Sequence, residues 1–201
     1  MKKLISIFIL LICLVSALSA QLNTSAGAGG LFDMSLKNGV KNGNDNEGSN
    51  TIGFGGYIFY DASYVEVDIY FTFGIISGYE NSKKNNDNVS AMALGFSVLG
   101  KFPLSIGSLT VFPLLGISYN MVLSAKDSAG NKIDKPMDYS QFGILGGAGV
   151  DFDMTSNFYI RGELLFHVRL ESKYAKENYN DSWKTTLGMG PLVKVGVGYR
   201  L

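Results

Sequence analysis

Few residues in this chain of 201 amino acids could carry out catalysis or bind a metal ion. His167 is the only histidine and Cys13 the only cysteine, so the sequence offers no disulfide pair, no cysteine-based zinc site and no multi-histidine metal site. The local sequence His167-Val168-Arg169 places no serine two residues from the imidazole. We therefore predict no catalytic, cofactor-binding or metal-binding residue, and we expect His167 to belong to a hydrogen-bond network.

The charged residues that could form such a network stand at alternate positions among apolar ones. In the segment 64–73 the odd positions from 65 onward are Val, Ile or Phe, whereas Glu66 and Asp68 occupy even positions. A period of two is typical of a β-strand with one apolar and one polar face. The segment 158–171 repeats the pattern. The predicted polar network comprises Glu66, Asp68, Arg161, Glu163, His167, Arg169 and Lys194.

Eight segments of the chain follow this alternation and are predicted to be strands. Most are longer than the roughly 5–6 residues of an ordinary strand. They match the about 9–11 residues that a tilted strand needs to cross a bilayer. The predicted strands cover residues 22–34, 51–61, 64–73, 90–102, 108–122, 139–152, 158–171 and 184–201.

The connections between these segments alternate in length. Long polar connections are predicted at 35–50, 77–88, 124–138 and 172–183, and short ones at 61–63, 103–107 and 153–157. This alternation is typical of an outer-membrane β-barrel, which has long extracellular loops and tight periplasmic turns. It predicts an all-β fold, an eight-stranded antiparallel up-and-down transmembrane barrel with both termini in the periplasm.

The N-terminus has the three parts of a secretory signal peptide. Met1-Lys2-Lys3 is positively charged, residues 4–15 are apolar, and small residues lead to a cleavage site after Ala20 or Ser19. A transmembrane anchor or a lipoprotein modified at Cys13 are the alternatives, but the apolar run is shorter than the roughly 20 residues of a membrane helix. We predict a signal peptide at 1–20 and one barrel domain at 21–201.

Glycine placement predicts which face of the strands is the lumen. About three in four strand glycines share a face with the charges. Side chains only just fit inside an eight-stranded barrel, so small residues are needed there. Lys101, Asp151 and Arg200 should lie near the periplasmic rim. The predicted inward charges are Asp33, Glu66, Asp68, Lys101, Asp151, Arg161, Glu163, Arg169, Glu171, Lys194 and Arg200.

Strand number, connection pattern and topology resemble the small outer-membrane barrels, namely the OmpA transmembrane domain and the OmpX/Ail-like proteins. The last strand resembles the terminal assembly signal of these barrels, with Lys194, Gly196, Tyr199 and the final Leu201 at the matching positions. The family usually ends in an aromatic residue, so Leu201 departs from the pattern. The resemblance implies outer-membrane lipid, the barrel-assembly machinery and periplasmic chaperones as partners.

The predicted function is non-enzymatic: envelope structure and surface display of four extracellular loops that contact an adhesion target or a host factor. A narrow channel or carrier for small or hydrophobic molecules, as in OmpW-like barrels, is one alternative, and a lipid-modifying barrel enzyme is another. A soluble lipocalin-like barrel is the alternative at the level of the fold, and it would place its charges outside. No nucleic-acid partner is expected, because 17 basic and 17 acidic residues balance to a net charge of zero.

Overall fold

A computed structural model describes residues 24–42, 45–80, 83–170, 172 and 184–201. The predicted signal peptide at 1–20 and most of the predicted connection at 172–183 lie outside these residues. No helix in the described residues is long and apolar enough to span a bilayer.

Antiparallel strands make up almost all of the described chain. Eight are long: β1 (Thr24–Asn42), β2 (Asp45–Ala62), β3 (Val65–Glu80), β4 (Lys83–Lys101), β6 (Leu109–Lys126), β7 (Gln141–Asp153), β8 (Phe158–Arg169) and β10 (Gly188–Arg200). Two are short, β5 (Leu104–Ile106) and β9 (Lys184–Thr186), and a turn of 3-10 helix covers Pro136–Tyr139.

The eight long strands form a closed barrel. Each pairs with the long strand before and after it, and β10 pairs with β1 through ten partner positions, among them Gly27 with Gly198. In a bilayer, a closed sheet satisfies the backbone hydrogen bonds that an open edge would leave unmade. The predicted fold class, an eight-stranded antiparallel barrel, is confirmed.

Three short connections lie at one end of the barrel, the end that also holds the start of β1 and the end of β10. Ser63 and Tyr64 join β2 to β3, and Ser63 adopts a left-handed φ of 53°. Residues 154–157 join β7 to β8. The predicted connection at 103–107 instead contains β5, which forms a small hairpin with the start of β6 around Gly107 (φ 63°).

The long connections are shorter than predicted at 35–50 and 77–88, because β1 to β4 continue through most of these residues. Pairing extends to Asn42 with Asp45 and to Glu80 with Lys83, with register shifts near Ser35 and Ser77. Polar residues dominate these segments, so apolar alternation is absent there although backbone pairing persists. In the predicted connection at 124–138, β6 continues to Lys126 before the chain turns.

The two faces of the wall differ as predicted. Along β8 buried and exposed residues alternate almost without exception, so that Arg161 is fully buried while Leu164 is 62% exposed. The charges point into the lumen and the apolar residues point outward, which is opposite to the soluble lipocalin-like alternative. The lumen also holds apolar and aromatic side chains, including Leu31, Tyr57, Phe59, Tyr70, Leu99, Phe112, Leu145, Tyr159 and Leu165.

Inward glycines provide space for these rings. A Cβ atom added to Gly27 would lie 2.3 Å from the Phe59 ring, and one added to Gly198 would lie 2.1 Å from the Tyr159 ring. At the outward Gly56 the nearest atom would be 3.6 Å away. The lumen therefore needs glycine because aromatic rings pack directly over the neighbouring strand.

Candidate functional site

Arg161 on β8 is the centre of a buried polar network in the lumen. Its Nε and Nη2 donate to the two carboxylate oxygens of Asp151, both at 2.7 Å. Nη2 also donates to Asp61 at 2.7 Å, and Nη1 donates to Glu66 at 2.5 Å. One planar guanidinium thus joins β2, β3, β7 and β8, a role that suits its fixed fork of donors.

Lys101 extends the network toward the short-turn end. Its ammonium donates to the Asp61 oxygen that also accepts from Arg161. Asp61 is the second-last residue of β2, so this ion pair lies close to the turn between β2 and β3. The shared carboxylate connects β2, β4 and β8.

Lys194 on β10 forms the other half of the network. Its ammonium donates to Asp68 at 2.5 Å and lies 3.0 Å from Glu163 Oε2, an ion-pair contact whose angles fall outside hydrogen-bond geometry. Asp68 also accepts from the Ser97 hydroxyl at 2.6 Å. Glu66 connects the two halves, because its second oxygen lies 3.8 Å from Lys194.

Aromatic rings surround the cations of the network. Arg161 Cζ lies 4.5 Å from the ring centroid of Phe59 and 5.1 Å from that of Phe112. Lys194 Nζ lies 5.3 Å from the ring centroid of Tyr57. These contacts stabilise a buried cation through the negative face of the ring.

Carboxylates outnumber cations in this network, with Asp61, Glu66, Asp68, Asp151 and Glu163 set against Lys101, Arg161 and Lys194. Within the described residues, one oxygen each of Asp61, Glu66 and Asp68 and both oxygens of Glu163 have no hydrogen-bond donor. No group of three or more His, Cys, Asp or Glu side chains in the described ranges has an arrangement that would hold a metal ion.

A separate set of polar residues lies toward the long-connection end. Arg169 donates to Asp33 across the lumen, and His167 Nε2 lies 3.0 Å from the hydroxyl of Ser118. Neither Arg169 nor His167 contacts the Arg161–Lys194 network through any described ion pair or hydrogen bond. The second nitrogen of His167, Nδ1, has no partner within the described residues.

The structure brings together five of the seven residues predicted for the network, Glu66, Asp68, Arg161, Glu163 and Lys194, and places His167 and Arg169 apart from them. Of the expected rim charges, Lys101 and Asp151 are buried and only Arg200 is partly exposed, where it pairs with Asp153. The predicted inward charge Glu171 lies outside the described residues.

The polar network predicted from the sequence omits Asp61 and its aromatic neighbours Tyr57 and Phe59. Asp61 is the last residue of the predicted strand 51–61 and the first of the predicted connection 61–63, yet its odd number places it on the same face of β2 as Tyr57 and Phe59. Position along the strand could have found all three, because inward residues on β2 are odd-numbered whatever their polarity.

The C-terminal residues occupy different environments. Gly196 faces the lumen, where an added Cβ would lie 2.8 Å from the Tyr57 hydroxyl. Tyr199 faces outward and packs edge-on against Phe158, with 4.9 Å between the ring centroids. The backbone N–H of the exposed Leu201 donates to the Thr24 carbonyl at 2.9 Å, which completes the closure of β10 on β1.

A closed barrel with an apolar outer wall and ion pairs along its axis defines the class of small outer-membrane β-barrels. The chain belongs to the family of OmpA-like transmembrane domains, which matches it over residues 20–201. Membership places the barrel in the bacterial outer membrane.

Solved structures that share the fold include two outer-membrane proteins. The outer membrane protein OprG from Pseudomonas aeruginosa is 11% identical, with a TM-score of 0.50 over 90% of this chain and 96% of that one. Neisserial surface protein A is 11% identical, with a TM-score of 0.52 over 89% of this chain and 97% of that one. No curated protein matches the sequence.

Proposed function

We propose that this protein is a non-enzymatic structural barrel whose lumen is closed by the Arg161–Lys194 network and whose polar hairpin ends face the outside of the cell. The observation that carries the proposal is the burial of the network: every charged side chain in it is at most 8% exposed. Buried ion pairs with several partners are costly to separate. Such a lumen supports a closed barrel rather than a conducting one.

Conductance of the purified barrel in planar lipid bilayers tests the closed lumen. The proposal expects no stable conductance steps from the wild-type protein. Stable, voltage-independent steps at neutral pH would contradict it and would favour the alternative of a narrow channel or carrier.

The orientation of the barrel is part of the proposal. Termini and short turns face the periplasm, and the long hairpins face outward, as the alternation of connection lengths favours. The only cysteine is Cys13, within the predicted signal peptide, so single cysteines can report on sidedness. A membrane-impermeant maleimide should label Ser128→Cys on intact cells and Ser156→Cys only after lysis. The reverse pattern would contradict this orientation.

The proposal includes a role for the long connections in binding at the cell surface. The connection between β6 and β7 mixes both charge signs, among them Asp127, Lys132 and Asp134, and we expect it to contact an extracellular adhesion target or host factor. Cells that produce the protein should adhere to immobilised host-matrix proteins, and shortening of residues 128–134 should reduce adhesion. Unchanged adhesion after shortening of this and the other long connections would contradict display.

The position of His167 supports the absence of enzymatic activity. His167 and Ser118 are both buried in the lumen, on the opposite side of the wall from lipid, and His167 Nδ1 lacks the carboxylate partner of a catalytic triad in the described residues. His167→Ala should leave the lipid composition of the outer membrane unchanged. Loss of a lipid modification in that variant would favour a lipid-modifying enzyme instead.

The C-terminal residues are proposed to act as the assembly signal. Tyr199, near the end of β10, and Leu201, just after it, are exposed, and the barrel-assembly machinery binds them before β10 pairs with β1. Removal of residues 199–201 should abolish insertion in cells. The truncated chain could fail to insert because it lacks the signal or because β10 no longer closes the barrel, and refolding in detergent separates these two causes. A defect of closure impairs both refolding in detergent and insertion in cells, whereas loss of the signal impairs insertion in cells only. Normal insertion would contradict the signal.

A further inference from the structure

The hairpin formed by β5 and the start of β6 extends the apolar outer wall beyond the other short connections. Phe102, Leu104 and Ile106 continue the outward parity of β4, and Leu104 and Ile106 pair with Val111 and Leu109 across the hairpin. Leu104 is 66% and Ile106 is 70% exposed. No charged residue occurs from 102 to 125, whereas the other two short connections are flanked by Asp61 and Asp153.

Two prolines interrupt the wall just above this hairpin. The pairing of β4 with β6 ends at Lys101 and Leu114, and the pairing of β5 with β6 resumes at Leu104 and Val111 in the same register. Phe102-Pro103 therefore stands opposite Phe112-Pro113. Proline has no backbone N–H, so Pro103 and Pro113 cannot donate hydrogen bonds to a neighbouring strand at this gap. A missing backbone hydrogen bond is costly inside the hydrocarbon region of the bilayer. We therefore infer that the proline gap lies at the edge of that region.

The length of the apolar run gives the same boundary independently. Outward apolar positions on β4 and β5 extend from Met92 to Ile106, a span of fifteen residues. A membrane-spanning strand needs about 9–11 residues. Counting about eleven residues from Met92 reaches Phe102, beside the proline gap. The remaining residues lie beyond the hydrocarbon region although their side chains are apolar.

We propose that the β5–β6 hairpin is an interfacial membrane anchor, with Leu104 and Ile106 in the headgroup region of the leaflet at the short-turn end. Its apolar surface is continuous with the lipid-facing wall through Phe102, Val111 and Phe152, all of which are exposed on the outer face. Phospholipid is therefore the occupant that the surface fits. Anchoring at one of three short connections would set the depth and tilt of the barrel in the membrane.

Tryptophan fluorescence in phosphatidylcholine vesicles tests the anchor. In a Trp183→Phe background, which removes the only native tryptophan, single tryptophans are introduced as Ile106→Trp, Ile117→Trp and Met137→Trp. Ile117 is exposed on the outer wall between the ends of β6, and Met137 is exposed in the 3-10 turn at the opposite end of the barrel. The heat-dependent gel shift confirms folding of each variant, and Leu104→Trp takes the place of Ile106→Trp if that variant fails to fold.

The proposal expects Ile106→Trp to be quenched about twofold more by lipid brominated near the headgroup than by lipid brominated near the chain end. Acrylamide should quench Ile106→Trp weakly and Met137→Trp strongly. Quenching of Ile106→Trp by acrylamide to the level of Met137→Trp would place the hairpin in water and overturn the anchor. Strongest quenching by chain-end bromine, as expected for Ile117→Trp, would make the hairpin part of the spanning wall and would overturn it as well.

Discussion

The inner and outer faces of the same strands follow opposite rules. On β3, Glu66, Asp68 and Tyr70 are buried in the lumen, while Val65 and Phe73, on the same strand, are exposed on the outside. The inner face depends on specific partners, because each of its buried cations contacts particular carboxylates. The outer face depends only on being apolar, since lipid adapts to any side-chain shape.

Two adjacent glycines on β2, Gly55 and Gly56, show the same contrast between the inner and the outer face. A Cβ added to the inward Gly55 would lie 1.8 Å from the Phe71 carbonyl oxygen, whereas one added to the adjacent Gly56 would be 3.6 Å from its nearest atom. The inner face is filled to its limit and the outer face has room. We therefore expect inward substitutions to be sensitive to shape and outward ones to be sensitive to polarity.

Loss of Arg161 should have the largest effect on stability. Arg161→Gln leaves the buried carboxylates of Asp61, Glu66 and Asp151 without their common cation, and breaking such a buried network costs about 3–5 kcal/mol. The measurement is urea unfolding of the barrel in lipid vesicles, followed by the gel shift between folded and unfolded chains.

The matched control is Arg200→Gln. Arg200 also pairs with a carboxylate, that of Asp153, but the two side chains are 34% and 30% exposed. An exposed ion pair contributes about 0–1 kcal/mol. Equal losses for Arg161→Gln and Arg200→Gln would contradict the claim that burial and multiple partners give the network its importance.

A charge on the outer face should have the next largest effect. Ile69 faces outward between Ile58 and Phe96, and Ile69→Arg should destabilise the barrel by about 2–4 kcal/mol if the residue lies near the bilayer midplane. Unfolding in vesicles measures the loss, and Ile69→Leu serves as the control without a charge. A silent Ile69→Arg together with a severe Asp68→Ile would reverse the assignment of the two faces for β3.

Substitution of the adjacent Gly55 and Gly56 tests how tightly each face of the wall is packed, without a change of polarity. Gly55→Ala should cost about 1–3 kcal/mol because the new methyl group meets backbone that cannot move aside. Gly56→Ala should change the free energy of unfolding little. Both variants add one methyl group to the same strand, so equal effects would mean that the lumen is less tightly packed than the Cβ contacts indicate.

The sequence predicted the parts of this fold that lie within the membrane and much less of what lies beyond it. Alternation assigned the faces of Glu66 and Arg161 because lipid and lumen impose different polarities on adjacent residues. It ended near Ser35 and Ser77, where the predicted polar connections begin, although the strands continue. It also missed Asp61, because a charged residue at a strand end fits a turn as well as a lumen. Which carboxylate meets which cation depends on strand register, which alternation alone does not determine.

The turn after β6 lies outside the barrel wall, so a change there should have the smallest effect on the stability of the barrel. Asn131 donates its side-chain amide to one carboxylate oxygen of Asp127 at 3.1 Å, and the backbone N–H groups of Asn131 and Ala129 donate to the other at 2.8 and 3.0 Å. Hydrogen bonds from Asn131, first from its side chain and then from its backbone, lower the pKa of the Asp127 carboxyl below its ordinary value. A lowered pKa means that the turn is stabilised above the ordinary carboxyl pKa and loses that contribution as the pH falls through the folded value.

Asn131→Ala should therefore raise the pKa of Asp127 toward its ordinary value without changing the unfolding of the barrel. Titration of the carboxyl carbon by nuclear magnetic resonance measures the pKa, and the urea experiment measures stability. Because water screens the carboxylate on every side, the effect should stay within the turn. An unchanged titration midpoint would show that the hydrogen bond from the Asn131 side chain to Asp127 does not form in solution. A lower free energy of unfolding would show that this turn stabilises the barrel, as the inner face does.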